Sequence, residues 1–314
     1  MNIQQLEYVI AVDNFRHFAK AAEMCFVTQP TLSMMIQKLE EELDVKIFDR
    51  TKHPVEPTSV GKQIIAQARI SLRYFKQIKE VVENEQNMAK GTFKLGIIPT
   101  IAPYLVPALL NKQHATGSDI ELILKECTTG KLIEDIQRGV LDGGVLAGPL
   151  NHPHLVEMPL YYEKFYAYVS PCDAVFNEKE IDLDRVDIQN VWLLENEHCL
   201  RGQIERLCQL KKKSLSGTSP MIKYESGSIE TLINVVDYND GITIIPEMHA
   251  MGLCEEKQEN LRTFKNITAV REVSLVVSTD YVRKTMINAI SGMIRNSVPK
   301  SMQNPELKKF VVDL

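Results

Sequence analysis

Long apolar runs are absent from the sequence. No stretch approaches the ~18 consecutive apolar residues of a membrane-spanning helix, so the chain is not expected to cross a bilayer. The first residues, Met1 to Gln5, hold no basic cluster, and Glu7 and Asp13 interrupt the apolar residues around them, so no secretory signal is expected. We therefore expect a cytoplasmic protein.

A strong charge of either sign and a paired cysteine pattern are also missing. The net charge is −5, and basic and acidic residues are equal in number over residues 1–90. Charge therefore permits binding to nucleic acid without demanding it. The six cysteines are irregularly spaced and form no CxxC pairs, so we expect no metal site and no cofactor. In a cytosolic chain a disulfide is more often transient or redox-sensing than structural.

The composition is that of an ordinary globular protein. Hydrophobic residues make up 44% and charged residues 25% of the 314 positions. These values exclude collagen-like, low-complexity and largely disordered chains. The length favours two domains.

A pair of short helices near the start predicts a DNA-binding motif. Apolar residues recur at helical spacing over residues 3–12, and a second helix fits Ala19 to Met24. Thr28 is a good N-cap for the next helix, and Pro30 lies in its first turn, where a missing N–H costs nothing. Two helices joined by a short turn, the second one capped, are typical of a helix-turn-helix.

Residues 45–48 and 55–58 can pair as the two strands of a wing beside this motif. In such a domain the N-terminal end of the capped helix enters the major groove. Side chains on that helix would contact bases, and those on the wing would contact phosphates. The predicted DNA-binding residues are Thr28, Gln29, Pro30, Thr31, Ser33, Gln37, Arg50, Lys52 and His53.

A longer helix is predicted from Ser59 to about Met88, and a hinge at residues 89–91 follows it. Apolar residues along it alternate at spacings of four and three, which is the seam of a coiled coil. A helix that lies on its own domain would give the same pattern. The seam comprises Ile64, Ala68, Ser71, Phe75, Ile78 and Val82.

From residue 91 onward short apolar strands alternate with helices. This order predicts a mostly parallel sheet with helices on its faces, divided into two lobes. The predicted strands are 93–98, 120–126, 143–147, 165–170, 191–194, 221–224, 242–245 and 273–278, and the predicted helices include 101–112 and 131–140.

Two cysteines flank a short predicted helix in this half. Cys199 follows His198 near the start of the helix, where helix dipole and free N–H groups favour the thiolate that attacks peroxide. Were residues 199–208 one helix, Cys199 and Cys208 would lie ~13.5 Å apart along its axis. A disulfide needs Cα atoms within about 7 Å, so bonding would require the segment to unwind, as in a two-state switch. The ordinary alternative is that both thiols are structural.

Hydroxyl side chains follow three of the predicted strands. Thr100, Thr129, Ser226 and Ser228 occupy these positions. Ligands of open sheets bind at the carboxyl ends of strands, so these hydroxyls suit a small polar molecule such as hydrogen peroxide. Each of them can equally be a simple helix cap.

The run from Phe18 to Gly61 closely resembles the N-terminal signature of LysR-type transcriptional regulators. It includes the segments Phe18-Ala19-Lys20-Ala21-Ala22, Val27-Thr28-Gln29-Pro30-Thr31-Leu32-Ser33 and Val45-Lys46-Ile47-Phe48-Asp49-Arg50. Met34 and Met35 depart from the polar or basic residues of the family, and they either contact thymine methyls or pack. The operator sequence therefore stays open.

The resemblance implies a mixed α+β and α/β fold with three parts. These are a winged helix-turn-helix (1–58), a dimerising linker helix with its hinge (59–90), and a two-lobed α/β sensor resembling periplasmic binding proteins (91–314). Lobe I is expected at about 91–161 and 268–300, and lobe II at about 162–267.

The segment 197–208 resembles the redox-active region of the peroxide-sensing members of this family. Further matches are Ile98-Pro99-Thr100, Pro103-Tyr104-Leu105-Val106-Pro107, Ser228-Ile229-Glu230-Thr231-Leu232 and Gly241-Ile242-Thr243-Ile244-Ile245-Pro246. The resemblance implies that Cys199 is the peroxidatic and Cys208 the resolving cysteine. It also implies a peroxide pocket formed by Thr100, Thr129, His198 and Arg271.

By this resemblance the chain is a regulator of oxidative-stress genes and not an enzyme. The implied partners are promoter DNA, a second copy bound through the linker helix and sensor, a homotetramer, RNA polymerase, and a glutaredoxin or thioredoxin reductant. Two alternatives are a regulator gated by a metabolite, with incidental thiols, and a thiol peroxidase with an appended DNA-binding domain. Cys25, Cys127, Cys172 and Cys254 are interpreted as structural, Trp192 as core, and Lys211-Lys212-Lys213 as a solvated run.

Overall fold

The chain forms two compact units, Met1–Met88 and Ala89–Leu314. The computed structural model describes residues 1–85, 89–116, 119–183, 186, 191–208 and 226–312. The predicted strand at 221–224 and the basic run at 211–213 lie outside the described residues. Within them, no helix is long and apolar enough to span a bilayer.

The first unit is a helix-turn-helix with a wing and a long helix. Its helices are Ile3–Phe15 (α1), Phe18–Met24 (α2), Gln29–Leu43 (α3) and Ser59–Glu85 (α4), and its strands are Phe48–Asp49 (β1) and Glu56–Pro57 (β2). The two strands pair antiparallel. The predicted wing is therefore confirmed, although its strands are shorter than expected.

Helix α3 begins as its sequence predicts and buries one face. The Thr28 hydroxyl accepts the N–H of Thr31 at 3.4 Å, and Pro30 occupies the first turn. Leu32, Ile36 and Leu39 are fully buried and share one core with α1. Their spacing of four and three residues places them on one side of the helix.

The turn between α2 and α3 holds Phe26 in the left-handed conformation. Its φ is 54° and its side chain is 96% exposed. The Phe26 N–H donates to the carbonyl of Glu23 at 3.1 Å, and the Val27 N–H donates to that of Ala22 at 3.0 Å. This pair of bonds is a Schellman motif, in which glycine or asparagine usually occupies the left-handed position.

We expect Phe26→Asn to raise the free energy of unfolding by about 0.5–1 kcal/mol, because asparagine adopts this conformation more readily and no packing is lost. Thermal unfolding of the full chain measures the change. Phe26→Val is the matched control, and its β-branched side chain should lower the unfolding temperature. An asparagine variant that unfolds earlier than the parent would contradict the expectation.

The second unit holds seven helices and eight strands among its described residues. The strands are Gly91–Ile97 (β3), Ile120–Glu126 (β4), Gly143–Gly148 (β5), Leu155–Val169 (β6), Glu180–Ile181 (β7), Ile242–Pro246 (β8), Leu261–Phe264 (β9) and Val270–Ser278 (β10). The helices are Ala102–Thr116 (α5), Thr129–Gln137 (α6), Cys199–Leu207 (α7), Ile229–Tyr238 (α8), Glu247–Met251 (α9), Glu255–Gln258 (α10) and Lys284–Arg295 (α11). Two short 3-10 helices, Lys300–Gln303 and Pro305–Phe310, follow α11.

These strands form a mixed sheet in the order β4-β3-β5-β10-β6-β9-β7, with β8 paired to β6. β3 lies parallel to β4 and β5, and β7 lies parallel to β9. β10 is antiparallel to β5 and β6, and β6 is antiparallel to β8 and β9. The expectation of a mostly parallel sheet is therefore wrong for the described strands. Strand β10 returns in the opposite direction between its two neighbours.

Two hydrophobic cores lie along β6 and β10. Tyr161 belongs to the first core, with α5, α6 and α11, whereas Phe165 belongs to the second, with α7 and α8. On β10, Val273 lies in the first core and Val270 in the second. Both strands thus pass from one core to the other within a few residues. The predicted lobe boundaries near 161 and 268 remain a prediction.

Several predicted elements differ in extent from those observed. Residues 191–194 form isolated bridges at Val191 and Leu194 instead of a strand. The strand predicted at 165–170 is the end of the longer β6, and the helix predicted at 131–140 is α6. The N-cap of α6 is Thr128, so Thr129 is its first helical residue and not its cap.

Candidate functional site

Cys199 is the first residue of α7, and Thr129 is the first residue of α6. The Thr129 hydroxyl lies 2.8 Å from Cys199 Sγ, within hydrogen-bond distance. The start of a helix carries a partial positive charge, which favours negative charge nearby. The structure thus brings the predicted peroxidatic cysteine together with one of the two predicted threonines.

The ionisation of Cys199 differs from the expectation drawn from its helix position. Burial raises the pKa of the Cys199 thiol above its ordinary value, and the Thr129 hydrogen bond and the charge of Arg271 lower it by less. Desolvation disfavours the charged form and here outweighs the favourable neighbours. Burial thus works against the thiolate that the helix position favours.

Arg271 on β10 is almost wholly buried, and it binds Thr100. Its Nη1 donates to Thr100 Oγ1 at 3.0 Å, and its Nη2 donates to the Thr100 carbonyl at 3.2 Å. The Thr100 hydroxyl accepts from the guanidinium, so its own proton is left to donate elsewhere. The structure joins these two predicted pocket residues, and the charge of Arg271 also acts on Cys199.

His198 and Arg201 flank Cys199 in sequence but contact other groups. His198 is buried, and its Nε2 lies 3.5 Å from Glu195 Oε1. Arg201 donates to Glu205 at 2.8 Å and to the carbonyl of Leu194 at 2.9 Å. Neither contact shows His198 holding peroxide, so its predicted role remains a prediction.

Cys208 is the C-cap of α7, at the opposite end from Cys199. Burial raises the pKa of Cys208 to about 11. The helix that separates the two cysteines is intact, and both thiols are free. A rise of 1.5 Å per residue keeps their sulfurs about 13 Å apart along the axis, far beyond the reach of a disulfide.

A cavity of about 130 Å³ adjoins Thr100. It is lined by Pro99, Thr100, Pro103, Glu126, Gly227, Ser228, Ile229, Glu230 and His249. His249 is buried against Tyr104, whose hydroxyl contacts Nδ1, and burial lowers the pKa of His249 to about 4. The histidine is therefore neutral at pH 7. Since water takes ≈ 30 Å³ in the liquid, the cavity has room for a few molecules of that size.

Sequence reasoning missed His249 and Glu163, and it misjudged two cysteines. Glu163 was detectable as an acidic residue within the apolar run of β6. Cys172 and Cys254 are exposed, so their interpretation as structural thiols is wrong. The other two, Cys25 and Cys127, are half-buried beside hydrophobic cores.

Trp192 also lies at the edge of a core, and its indole N–H donates to the carbonyl of Asp240 at 2.9 Å. Its ring is half-buried, so it packs against the second core without lying fully inside it. Among the residues that the structure describes, no cluster of three or more His, Cys, Asp or Glu is placed to hold a metal ion.

The predicted DNA-binding face is exposed at the start of α3. Thr28, Gln29, Pro30 and Thr31 are exposed there, and Ser33 is half-buried. Gln37 is exposed one turn later and donates to Glu41 at 2.8 Å. These six residues lie at the N-cap and in the first nine residues of α3.

The wing residues are exposed, but two of them are already paired. Arg50 donates to Ser33 Oγ at 3.0 Å, contacts Glu40 at 3.4 Å and lies over the Phe18 ring. Lys52 forms an exposed ion pair with Glu56 at 2.6 Å, and His53 is exposed beside it. A phosphate contact by Lys52 would therefore have to compete with Glu56.

The two methionines of α3 differ in exposure. Met34 is 49% exposed, whereas Met35 packs against the core of the first unit. Only Met34 is therefore available for contact with a base. Of the two positions that depart from the family pattern, position 34 is the one that lies at the surface.

The first half of helix α4 fits the alternative of a helix that lies on its own domain, and the coiled coil remains a prediction. Its first half packs within its own unit, with Ile65, Ala68 and Leu72 buried. Arg69 also donates to Asp13 at 2.8 Å in a buried pair. Further along the helix, the apolar side chains of Tyr74, Phe75 and Ile78 are exposed.

Comparison with known proteins identifies the family. The LysR substrate binding domain matches residues 86–298, and the bacterial regulatory helix-turn-helix protein of the lysR family matches residues 3–62. The chain therefore belongs to the LysR family of bacterial regulators.

Within this family several similar proteins are peroxide-inducible activators of the OxyR type. The chain is 35% identical to the hydrogen peroxide-inducible genes activator of Haemophilus influenzae, covering 80% of this chain and 82% of that protein. It is 34% identical to the DNA-binding transcriptional dual regulator OxyR of Escherichia coli K12, covering 79% and 80%. The full-length OxyR C199D from Pseudomonas aeruginosa superposes with a TM-score of 0.77 at 30% identity, covering 94% and 98%.

These comparisons confirm the predicted family type and fold class. The predicted class of function, transcriptional activation in response to hydrogen peroxide, agrees with the names of the relatives. As a member of this family the chain is a DNA-binding regulator.

Proposed function

We propose that this chain activates transcription when hydrogen peroxide oxidises Cys199 and a Cys199–Cys208 disulfide follows. The observation that supports the proposal most directly is the position of Cys199 Sγ. It lies at the start of α7, 2.8 Å from the Thr129 hydroxyl. A reactive sulfur at a helix N-terminus beside a hydroxyl and an arginine has the donors that a departing hydroxide needs.

The first step transfers one oxygen atom. Cys199 loses its proton, its sulfur attacks one oxygen of hydrogen peroxide, and the O–O bond breaks. The departing hydroxide takes up a proton, so the products are Cys199 sulfenic acid and water. The Thr100 proton, which Arg271 leaves free, can donate to peroxide, and the Thr129 hydroxyl can donate to the thiolate.

The second step joins the two sulfurs. The Cys208 thiol attacks the sulfenic sulfur, a disulfide forms, and a second water leaves. Since an intact α7 holds the cysteines at opposite ends, the segment must unwind before this bond can form. The helical and the bonded forms exclude each other, which makes the segment a two-state element.

The change in the sensor then reaches the DNA through the assembly of several copies of the chain. We infer that the chain pairs through α4 and the sensor, assembles as a tetramer on promoter DNA and contacts RNA polymerase in the cytoplasm. A glutaredoxin or thioredoxin dithiol would supply the two electrons that restore both thiols. The protein reacts once per oxidation cycle and is a sensor, not an enzyme. The winged domain (1–58), linker (59–90) and sensor (91–314) are retained as proposed boundaries.

Thiol mapping by mass spectrometry tests this function. After one equivalent of hydrogen peroxide we expect a Cys199–Cys208 crosslink, with the other four thiols still open to alkylation. The exposed Cys172 and Cys254 act as internal controls for indiscriminate oxidation. Oxidation at those two sites in preference to Cys199, or rapid multiple turnover with a dithiol reductant, would contradict the proposal.

A further inference from the structure

Glu163 forms a fully buried ion pair with Arg271. The two residues are direct partners in the antiparallel ladder between β6 and β10. Arg271 Nε donates to Glu163 Oε1 at 2.7 Å, and Nη2 lies at the same distance from that oxygen. The side chains are 0% and 1% exposed, so water solvates neither charge.

The carboxylate is also fixed from its other side. Glu163 Oε2 accepts the backbone N–H of Met248 in α9 at 3.1 Å. Because both of its oxygens are bound, Glu163 has little freedom to turn, and neither does the guanidinium that it holds. The remaining donors of Arg271 go to Thr100. Glu163 thereby aims Arg271 at the threonine of the predicted pocket.

Glu163 also weakens the effect of the Arg271 charge on Cys199. Arg271 favours the thiolate of Cys199. A carboxylate at 2.7 Å from the same guanidinium reduces that effect, since opposite charges in a poorly solvated site partly cancel at a third point. Titratable or charged groups that act on this site include Tyr104, Tyr161, Cys199, Glu230, His249 and Lys257.

Three of these groups are neutral at pH 7, which leaves Glu163 and Arg271 as the charged groups at the centre of the site. Burial raises the pKa of Tyr104 and Tyr161, and it lowers the pKa of His249, so all three are uncharged at pH 7. The charge of Glu230 acts on Tyr104, and the charge of Lys257 acts on His249.

We propose that Glu163 is a positioning residue that sets the ionisation of Cys199, by aiming the Arg271 guanidinium and by neutralising part of its charge. The inference rests on the proposed function, in which the Cys199 thiolate attacks peroxide. Glu163 weakens the pull of the Arg271 charge on the Cys199 thiolate, and it holds the Arg271–Thr100 contact in place for the reaction.

Glu163→Gln tests the charge while keeping the shape of the side chain. The amide oxygen can still face Arg271, but the negative charge is gone. We expect the ultraviolet thiolate titration of Cys199, assigned by difference from a Cys199→Ser background, to move to lower pH. The thiolate fraction near pH 7 should rise about tenfold, because an unshared cation nearby shifts a pKa by 1–3 units. Arg271→Gln should move the titration to higher pH.

The titration does not depend on peroxide chemistry, so the two proposals fail separately. An unchanged or upward-shifted titration in Glu163→Gln overturns the role of Glu163. If the Cys199 titration moves to lower pH in Glu163→Gln but peroxide does not oxidise Cys199 in the parent, only the proposed function is overturned. When both hold, the rate constant for peroxide should rise with the thiolate fraction in Glu163→Gln.

A lone buried cation can prevent folding, so a charge exchange provides the second test. In the Glu163→Gln background, Cys199→Asp supplies a new carboxylate near Arg271, whereas Cys199→Asn supplies the same shape without charge. We expect Cys199→Asp to unfold at higher temperature than Cys199→Asn in that background, and the advantage to shrink or reverse when Glu163 is present. Equal differences in the two backgrounds would overturn the inference.

Discussion

Cys199→Ser is expected to abolish induction by hydrogen peroxide. Serine keeps a polar atom beside the Thr129 hydroxyl, which lies 2.8 Å from the sulfur in the parent. Its hydroxyl, however, is not oxidised by peroxide and cannot form a disulfide. Reporter transcription should stay at the uninduced level at all peroxide concentrations that induce the parent, with equal amounts of folded protein and unchanged DNA binding.

Two matched variants separate the steps. Cys172→Ser changes an exposed thiol and should respond like the parent. Cys208→Ser should still form a sulfenic acid at Cys199, which a sulfenic-acid probe detects, but should not form the intramolecular crosslink. If Cys199→Ser still responds to peroxide, the redox mechanism is wrong. A ligand in the cavity beside Thr100 would then become the leading explanation.

Features set by local chemistry were predictable from the sequence. Thr28 and Pro30 specify the start of α3 by capping and by a fixed φ, and both act within one helical turn. A helix was also predicted to begin near Cys199, and α7 begins there. A resemblance to a known family placed distant residues such as Thr100 and Arg271 in one pocket, which no local pattern contains, and the structure shows the contact between them.

Long-range features were harder to predict. The Arg271–Glu163 pair joins residues 108 positions apart through the register of β6 and β10. Periodicity cannot specify which strands pair, so the direction of β10 and the mixed sheet were not predicted. The balance of effects on the pKa of Cys199 was not predictable, because the helix position is visible in the sequence whereas burial is a property of the folded chain.

Gly61→Ala is expected to destabilise the winged helix-turn-helix severely. A Cβ at position 61 would lie 1.9 Å from the carbonyl oxygen of Ile47. This oxygen belongs to the backbone, so it cannot rotate away from the new Cβ as the end of a flexible side chain can. The same carbonyl accepts the N–H of Thr58 at 3.0 Å, and the Thr58 hydroxyl accepts the Gly61 N–H at 2.9 Å. Moving α4 away would break this junction between the wing and the long helix.

We expect a loss of about 3 kcal/mol or more, at the upper end of overpacking effects and a large part of a typical stability of 5–15 kcal/mol. Thermal unfolding and operator binding of the full chain measure it. Gly292→Ala in α11 is the matched control, because its Cβ would meet no described atom within 4 Å. Alanine favours helices by about 1 kcal/mol over glycine, so the control should be at least as stable as the parent. If Gly61→Ala unfolds and binds DNA as the control does, the contact with Ile47 does not hold α4 in place.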